Sequence, residues 1–415
     1  MTTPTLSQAS RVFAHIGLLS FGGPAAQIAL MHRELVEQRP WLTEAQFLNA
    51  LSFCMLLPGP EAMQLATYTG WRLHGVRGGL IAGLLFVIPG AIVVMGLSAG
   101  YALFGQLPLI AAMFLGVKAA IVIIVIEALL RVAKKALHGP AHWAISALSF
   151  VGIFFLNLPF PLIILLAGLY GLITSRGTPG PEPDPTGATP IRTIATWLMI
   201  WWTPVLVLWA SGATLLTQIA LFFSKLAVVT FGGAYAVLAY MAQAAVSEKG
   251  WLTTPEMVDG LGLAETTPGP LILVTEFVGF MAGYGVQGIW LGLAGALVAV
   301  WVTFAPCFLW IFAGAPYIDW IATRPRLKGA LSAITAAVVG VILNLSLWFA
   351  MHVFFARVGQ TKAGPVTLLT PELSSLNWYV IVLSICAGFM ILRLHWGLFK
   401  VLIIMAAGGV ALSLL

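Results

Sequence analysis

The chain has 415 residues, of which 60% are hydrophobic and 8% charged, and its mean hydropathy is +0.99. It carries too few polar residues to clothe a soluble fold of that length, so most of its exterior must face lipid. The net charge of +6 lies in loops, where it either signals topology or attracts anions. Cys54, Cys307 and Cys386 are scattered, without CxxC or histidine partner spacing, and so suggest neither a metal site nor a disulfide framework.

In chain order, Met1 to Leu19 lacks a basic start and a small-residue cleavage site, so the first helix is expected to be retained. Phe21-Gly22-Gly23, Trp41-Leu42-Thr43 and Pro58-Gly59-Pro60 follow, the first and last interrupting apolar helical stretches. Runs of ~20 apolar residues, enough to span a bilayer as a helix, occupy 76–104 and 108–130, the second holding Lys118 and Glu127. A proline-rich stretch from Ser175 to Arg192 is a linker. Further apolar runs occupy 195–223, 285–316, 329–354 and 394–415.

A shift of 210 residues lays Phe231-Gly232-Gly233 on the first Phe-Gly-Gly, Trp251-Leu252-Thr253 on the first Trp-Leu-Thr, and Pro268-Gly269-Pro270 on the first Pro-Gly-Pro. Between 21 and 60, 14 of 40 residues match without a gap, so the chain is an internal duplication. Ile194 to Leu216 has no counterpart before the first repeat, and one additional crossing there inverts the second half. Lysine and arginine placement agrees. Arg72, His74 and Arg77 have no charged equivalents in 282–288, whereas Gly105-Gln106-Leu107 answers to a stretch with Arg324, Arg326 and Lys328. The predicted fold is an all-α polytopic membrane protein of two inverted-topology repeats, with helices broken at the Gly/Pro motifs. Its segments are a first repeat over 1–175, a linker plus inverting helix over 176–217, and a second repeat over 218–415. Thirteen crossings are expected, with the N-terminus cytoplasmic and the C-terminus outside.

Two prolines around one glycine break a helix, and broken helices at membrane depth expose N–H groups that attract anions. Phe21, Gly22, Gly23, Pro24, Pro58, Gly59, Pro60, Phe231, Gly232, Gly233, Pro268, Gly269 and Pro270 are therefore candidate substrate-binding residues, with Lys118 as a deep cation. Glu61, Glu265 and Glu276 are candidate proton-coupling groups, with salt bridging to Lys118, Lys225 or Arg72 as the bland alternative. His15 and Lys225 are equivalent positions, and Asn49 and Asp259 form another matched polar pair. The sequence has no phosphate-binding loop, dinucleotide fingerprint or heme motif, which favours secondary transport without a cofactor over an ATPase or oxidoreductase. An uncoupled anion channel is the other class to separate.

These motifs together, with Gly70, Gly75 and Pro89 answered by Gly279, Gly285 and Pro306, resemble the chromate ion transporter family in its long, two-domain form. The resemblance covers nearly the whole chain. It implies a bacterial inner-membrane carrier that extrudes chromate, drives export with the membrane potential or proton gradient as an antiporter, and confers chromate resistance. Sulfate or another tetrahedral oxyanion is the alternative substrate. The partners implied are the anion and the lipid bilayer, with a homodimer as a candidate assembly and no nucleic acid.

Overall fold

A computed structural model describes residues 4–176, 191–231, 234–318, 324–364 and 366–414, with nothing said of the side chain of Ala236. The first half contains α1 (Leu6–Leu18), α2 (Gly23–His32), α3 (Glu44–Cys54), α4 (Glu61–Phe104), α5 (Pro108–Ala136), α6 (Pro140–Phe154) and α7 (Phe160–Thr174). After α8 (Ile191–Ala210), the series is repeated as α9 (Thr214–Val229), α10 (Ala234–Gln243), α11 (Thr254–Thr266), α12 (Val274–Gly314), α13 (Pro325–Phe354), α14 (Trp378–Gly388) and α15 (Leu398–Ser413). Even the single π-helical turns recur, at Arg33–Glu37 after α2 and Ala244–Glu248 after α10. Among the described residues, α4, α5, α8, α13 and the stretch Leu271–Tyr317 that contains α12 are long and apolar enough to cross a membrane.

Local chemistry explains the repeated boundaries. In Trp-Leu-Thr the threonine is a helix cap: the Thr43 hydroxyl accepts from Gln46 N–H while the Gln46 side chain accepts from Thr43 N–H. Thr253 and Glu256 make the same reciprocal pair at the start of α11. The tryptophans reach back alike, Trp41 N–H to Leu35 O and Trp251 N–H to Ala245 O.

Three expectations are corrected. The fold is mostly helical rather than all-α, because β1 (Val358–Ala363) and β2 (Val366–Pro371) form an antiparallel hairpin. Val358, Thr361, Val366, Thr367 and Thr370 favour extended backbone there, and Gly364, at φ +61°, supplies the turn. The apolar run 195–223 is two helices, since Gly212 turns the chain at φ +74°, so the additional helix ends at Ala210 rather than Leu216. Finally, the structural partner of Gly75 is Gly288, not Gly285. A 3-10 turn at Leu271–Leu273 puts three more residues into the second half, which moves the offset from 210 to 213.

Gly75 and Gly288 mark the sharpest feature of the fold. At His74-Gly75 and Gln287-Gly288 the backbone leaves helical geometry, with both glycines at positive φ, and each long element doubles back into a helical hairpin. Gly70 then faces Gly78 and Thr67 faces Gly83 in α4, while Gly279 faces Gly295 and Gly283 faces Leu291 in α12. A Cβ on Gly70 or Gly78 would collide with the opposite carbonyl, so small residues permit this close approach. The first arm of α4, Glu61 to Leu73, is about 20 Å long at a helical rise of 1.5 Å per residue. That falls short of a ~30 Å hydrocarbon core.

The contacts divide the chain into two compact units, and neither is a sequence half. The first comprises Met1–Ala99, Thr178–Ala234 and Thr267–Pro325; the second comprises Gly100–Gly177, Tyr235–Thr266 and Arg326–Leu415. Within the second unit the halves exchange partners. Helix α5 packs on α15 and α14, with Gly116 against Met405 O, Gly409 against Ala112 O, and the Ser384 hydroxyl donating to Ala119 O at 3.0 Å. In return α13 lies on α6 and α7, with Gly340 against Ser146 O and Gly171 against Gly329 O.

Candidate functional site

The breaks meet within the first unit. Gly22 and Gly23 have φ of +84° and +76°, where an L side chain would be strained, and Pro24 opens α2 with its fixed φ. Gly59 and Gly269 turn at φ +119° and +93°, each followed by a proline ahead of a new helical segment. Phe21 is exposed and Phe231 half-buried; Gly232 and Gly233 lie outside the described residues.

Each Pro-Gly-Pro is held by the other half's Phe-Gly-Gly. The Gly59 N–H donates to Thr230 O at 2.8 Å, and the Gly269 N–H donates to Ser20 O at 2.9 Å. Ser20 and Thr230 directly precede the two Phe-Gly-Gly motifs, so the two bonds are counterparts at the same 210-residue offset. Buried amides brace the crossing: Gln27 Nε2 donates to Gly269 O at 2.7 Å and Ser20 O at 3.2 Å, and Gln64 Nε2 donates to Pro58 O at 2.7 Å.

Pro24, Pro60, Ala234 and Pro270, the first described residues after the four breaks, line one small cavity together with Gln27 and Glu61. Helix N-termini collected in this way present free N–H groups and partial positive charge. The cavity measures about 10 Å³, room for roughly one water molecule. A tetrahedral oxyanion does not fit in that space.

The titratable candidates separate. Glu61 lines the cavity at the start of α4. Glu276, in the first turn of α12, is fully buried, and neither carboxyl oxygen has a hydrogen-bond partner among the described residues. A charge there is uncompensated, a costly arrangement in a dry interior. Glu265 and Lys118 belong to the second unit, whereas the breaks belong to the first. The Tyr235 hydroxyl donates to Glu265 Oε1 at 2.8 Å, while Lys118 Nζ lies 3.0 Å from Asp259 Oδ1 and the Tyr101 hydroxyl donates to Asp259 Oδ2 at 2.8 Å.

Outside the apolar spans, the charged stretch from His32 to Glu44 is internally paired. His32 meets Glu44 at 2.7 Å and Glu37 at 3.1 Å, and the hydrogen bond it donates to Glu44 does most to raise its imidazole above the ordinary value. Buried Glu34 is paired with Arg39 and lies 4.0 Å from half-exposed His15.

Sequence reasoning missed Gln27, Gln64, Tyr101 and Tyr235, and left Asp259 without its partner. An isolated amide in an apolar helix is the signal that would have found Gln27 and Gln64, since a polar group at membrane depth needs a hydrogen-bond partner.

A family model described as Chromate transporter matches residues 7–172 and 217–412, so all four breaks fall inside the two matched segments. A probable chromate transport protein of Synechococcus elongatus is 30% identical over 343 residues, covering 81% of this chain and 83% of the relative. Chromate transport proteins of Cupriavidus metallidurans and Pseudomonas aeruginosa are each 30% identical. The first covers 82% of this chain and 81% of the relative; the second covers 91% of both. No solved structure matches the chain.

Proposed function

The chain belongs to the chromate transporter family, in the long form with two family segments, and from that premise we propose that it exports chromate across a bacterial inner membrane as a secondary active transporter, conferring chromate resistance. It is a multi-pass membrane protein of a transporter family, not an enzyme. The observation that carries the reading is the reciprocal crossing, in which the N–H groups of Gly59 and Gly269 each bond to the opposite half. Opening the crossing breaks two backbone bonds, each worth about 1 kcal/mol net, and turns both N–H groups toward an arriving oxyanion.

In this reading Pro24, Pro58, Pro60, Pro268 and Pro270 keep the breaks from closing into continuous helix, and Phe21 and Phe231 flank them. Glu276 is the favoured proton-coupling group because it is buried with no hydrogen-bond partner among the described residues, with Glu61 and Glu265 as further candidates. The single additional helix α8 and the loop charges support inverted repeats over 1–175 and 218–415, with the N-terminus cytoplasmic and the C-terminus outside.

The test is uptake of labelled chromate into everted membrane vesicles, with sulfate as competitor. Loss of gradient-driven uptake in Pro58→Ala plus Pro268→Ala is the expected result. Normal uptake by that double variant removes the crossing from the mechanism, and stronger inhibition by sulfate than by unlabelled chromate reassigns the substrate.

A further inference from the structure

The second unit contains a buried charge cluster that the crossing does not use. Lys118 projects from the middle of α5 to Asp259 on α11, and Tyr101 holds the opposite carboxylate oxygen. We propose that Lys118 is an anion-binding station whose resident counterion, the Asp259 carboxylate, gives way to the substrate oxyanion as Asp259 takes up a proton. This deepens the transport reading and rests on it.

Three observations carry the proposal. First, the pair is lopsided: the Lys118 side chain is 21% exposed and that of Asp259 8%, so an anion reaches the ammonium more readily than a cation reaches the carboxylate. Second, the two carboxylate oxygens have different partners: Oδ1 lies 3.0 Å from Lys118 Nζ, and Oδ2 accepts from the Tyr101 hydroxyl at 2.8 Å. Tyr101 therefore holds Asp259 in place when Lys118 exchanges its counterion. Third, Val117, next to Lys118 in α5, lines an apolar cavity of about 240 Å³ shared by α5, α11 and α15, so the helices beside the pair are not close-packed there.

Charge conservation in a low-dielectric setting then links the two events. An ammonium at this depth needs a counterion, and two anions crowded on one ammonium repel each other. Arrival of an oxyanion at Lys118 leaves the Asp259 carboxylate unpaired until it gains a proton as a neutral carboxyl, with its Tyr101 contact retained. Each event favours the other. Among the described residues the neighbouring charges have roles of their own, and Glu265, also on α11, is held by the Tyr235 hydroxyl. Glu256 on α11 adds negative charge near Asp259, Glu127 and Arg131 of α5 pair with each other, and Lys400, the one charged residue of α15, sits 3.9 Å over the Trp396 ring.

The experiment is calorimetric titration of the purified full-length protein with chromate. It is run at mildly alkaline pH, where the free anion is a dianion, in two buffers of different ionisation enthalpy. Wild type is expected to take up about one proton per anion bound. In Asp259→Asn uptake falls to none while binding persists, and Lys118→Ala weakens binding on the order of ten-fold, the loss of one charge-assisted contact. Tyr101→Phe, which keeps the ring and removes the donor, moves proton uptake to higher pH. Buffer-independent heats in wild type, or unchanged proton uptake in Asp259→Asn or unshifted uptake in Tyr101→Phe, overturn the proposal and leave the transport reading standing. A wild-type protein that binds neither chromate nor sulfate overturns both.

Discussion

Gly59→Ala tests the crossing directly, with Gly75→Ala as its control. Both glycines have positive φ, +119° and +61°, so alanine adds backbone strain of about 1–3 kcal/mol at either position. At Gly75 nothing lies within 4 Å of the new Cβ, and the strain is the whole cost. At Gly59 the Cβ would meet Cys307 Sγ and Gln64 Nε2, each at 2.9 Å. The buried amide must then leave Pro58 O, to which it donates at 2.7 Å. Stranding a buried acceptor adds roughly 1–3 kcal/mol. Unfolding of the purified protein in denaturing detergent should therefore show Gly59→Ala less stable than Gly75→Ala by that margin. Adding Cys307→Ala should recover part of the loss. Equal stability of the two glycine variants would refute the account of a tightly packed crossing.

Gln27→Leu leaves the carbonyls of Ser20 and Gly269 without their side-chain donor, so it should cost about 1–3 kcal/mol in the same unfolding assay and slow vesicle uptake; unchanged behaviour counts against the amide brace. Thr43→Ala and Thr253→Ala remove equivalent caps and should each cost about 1 kcal/mol, measured by the same unfolding curves. His32 gains two carboxylate partners on folding, which raises its pKa. The resulting stabilisation is fully present below the unfolded value of 6.5 and is lost as pH rises through the folded value. Glu44→Gln should lower the His32 titration midpoint, read by NMR of labelled histidine, and a stationary midpoint would contradict the pairing.

Much of the site was legible in the sequence because its devices are covalent. Two prolines flanking one glycine dictate a break, whereas the lone Pro89, Pro204 and Pro306 lie inside helices, and a 210-residue offset revealed that each motif comes twice. The three-residue insertion at Leu271–Leu273 was not legible, since leucines in a 3-10 turn look like leucines in a helix. Nor was the doubling back of α4 and α12, which depends on positive φ at one glycine among many. Lys118 was visible as a deep charge, but its distance from the breaks along the chain gave no clue to its neighbour. Asp259 is 141 positions further on, and only the packing of α11 on α5 joins them. The crossing bonds were hidden for a related reason: they use backbone N–H and carbonyl groups that every residue carries.

The exchange of helices in the second unit has a consequence for biosynthesis. Helix α5 emerges from the ribosome with the face that carries Gly116 bare, and α14 and α15, which pack on it, are made only after α6 to α13. A nascent chain interrupted before α14 therefore displays an unfilled groove on α5, exposing apolar surface that a finished molecule buries.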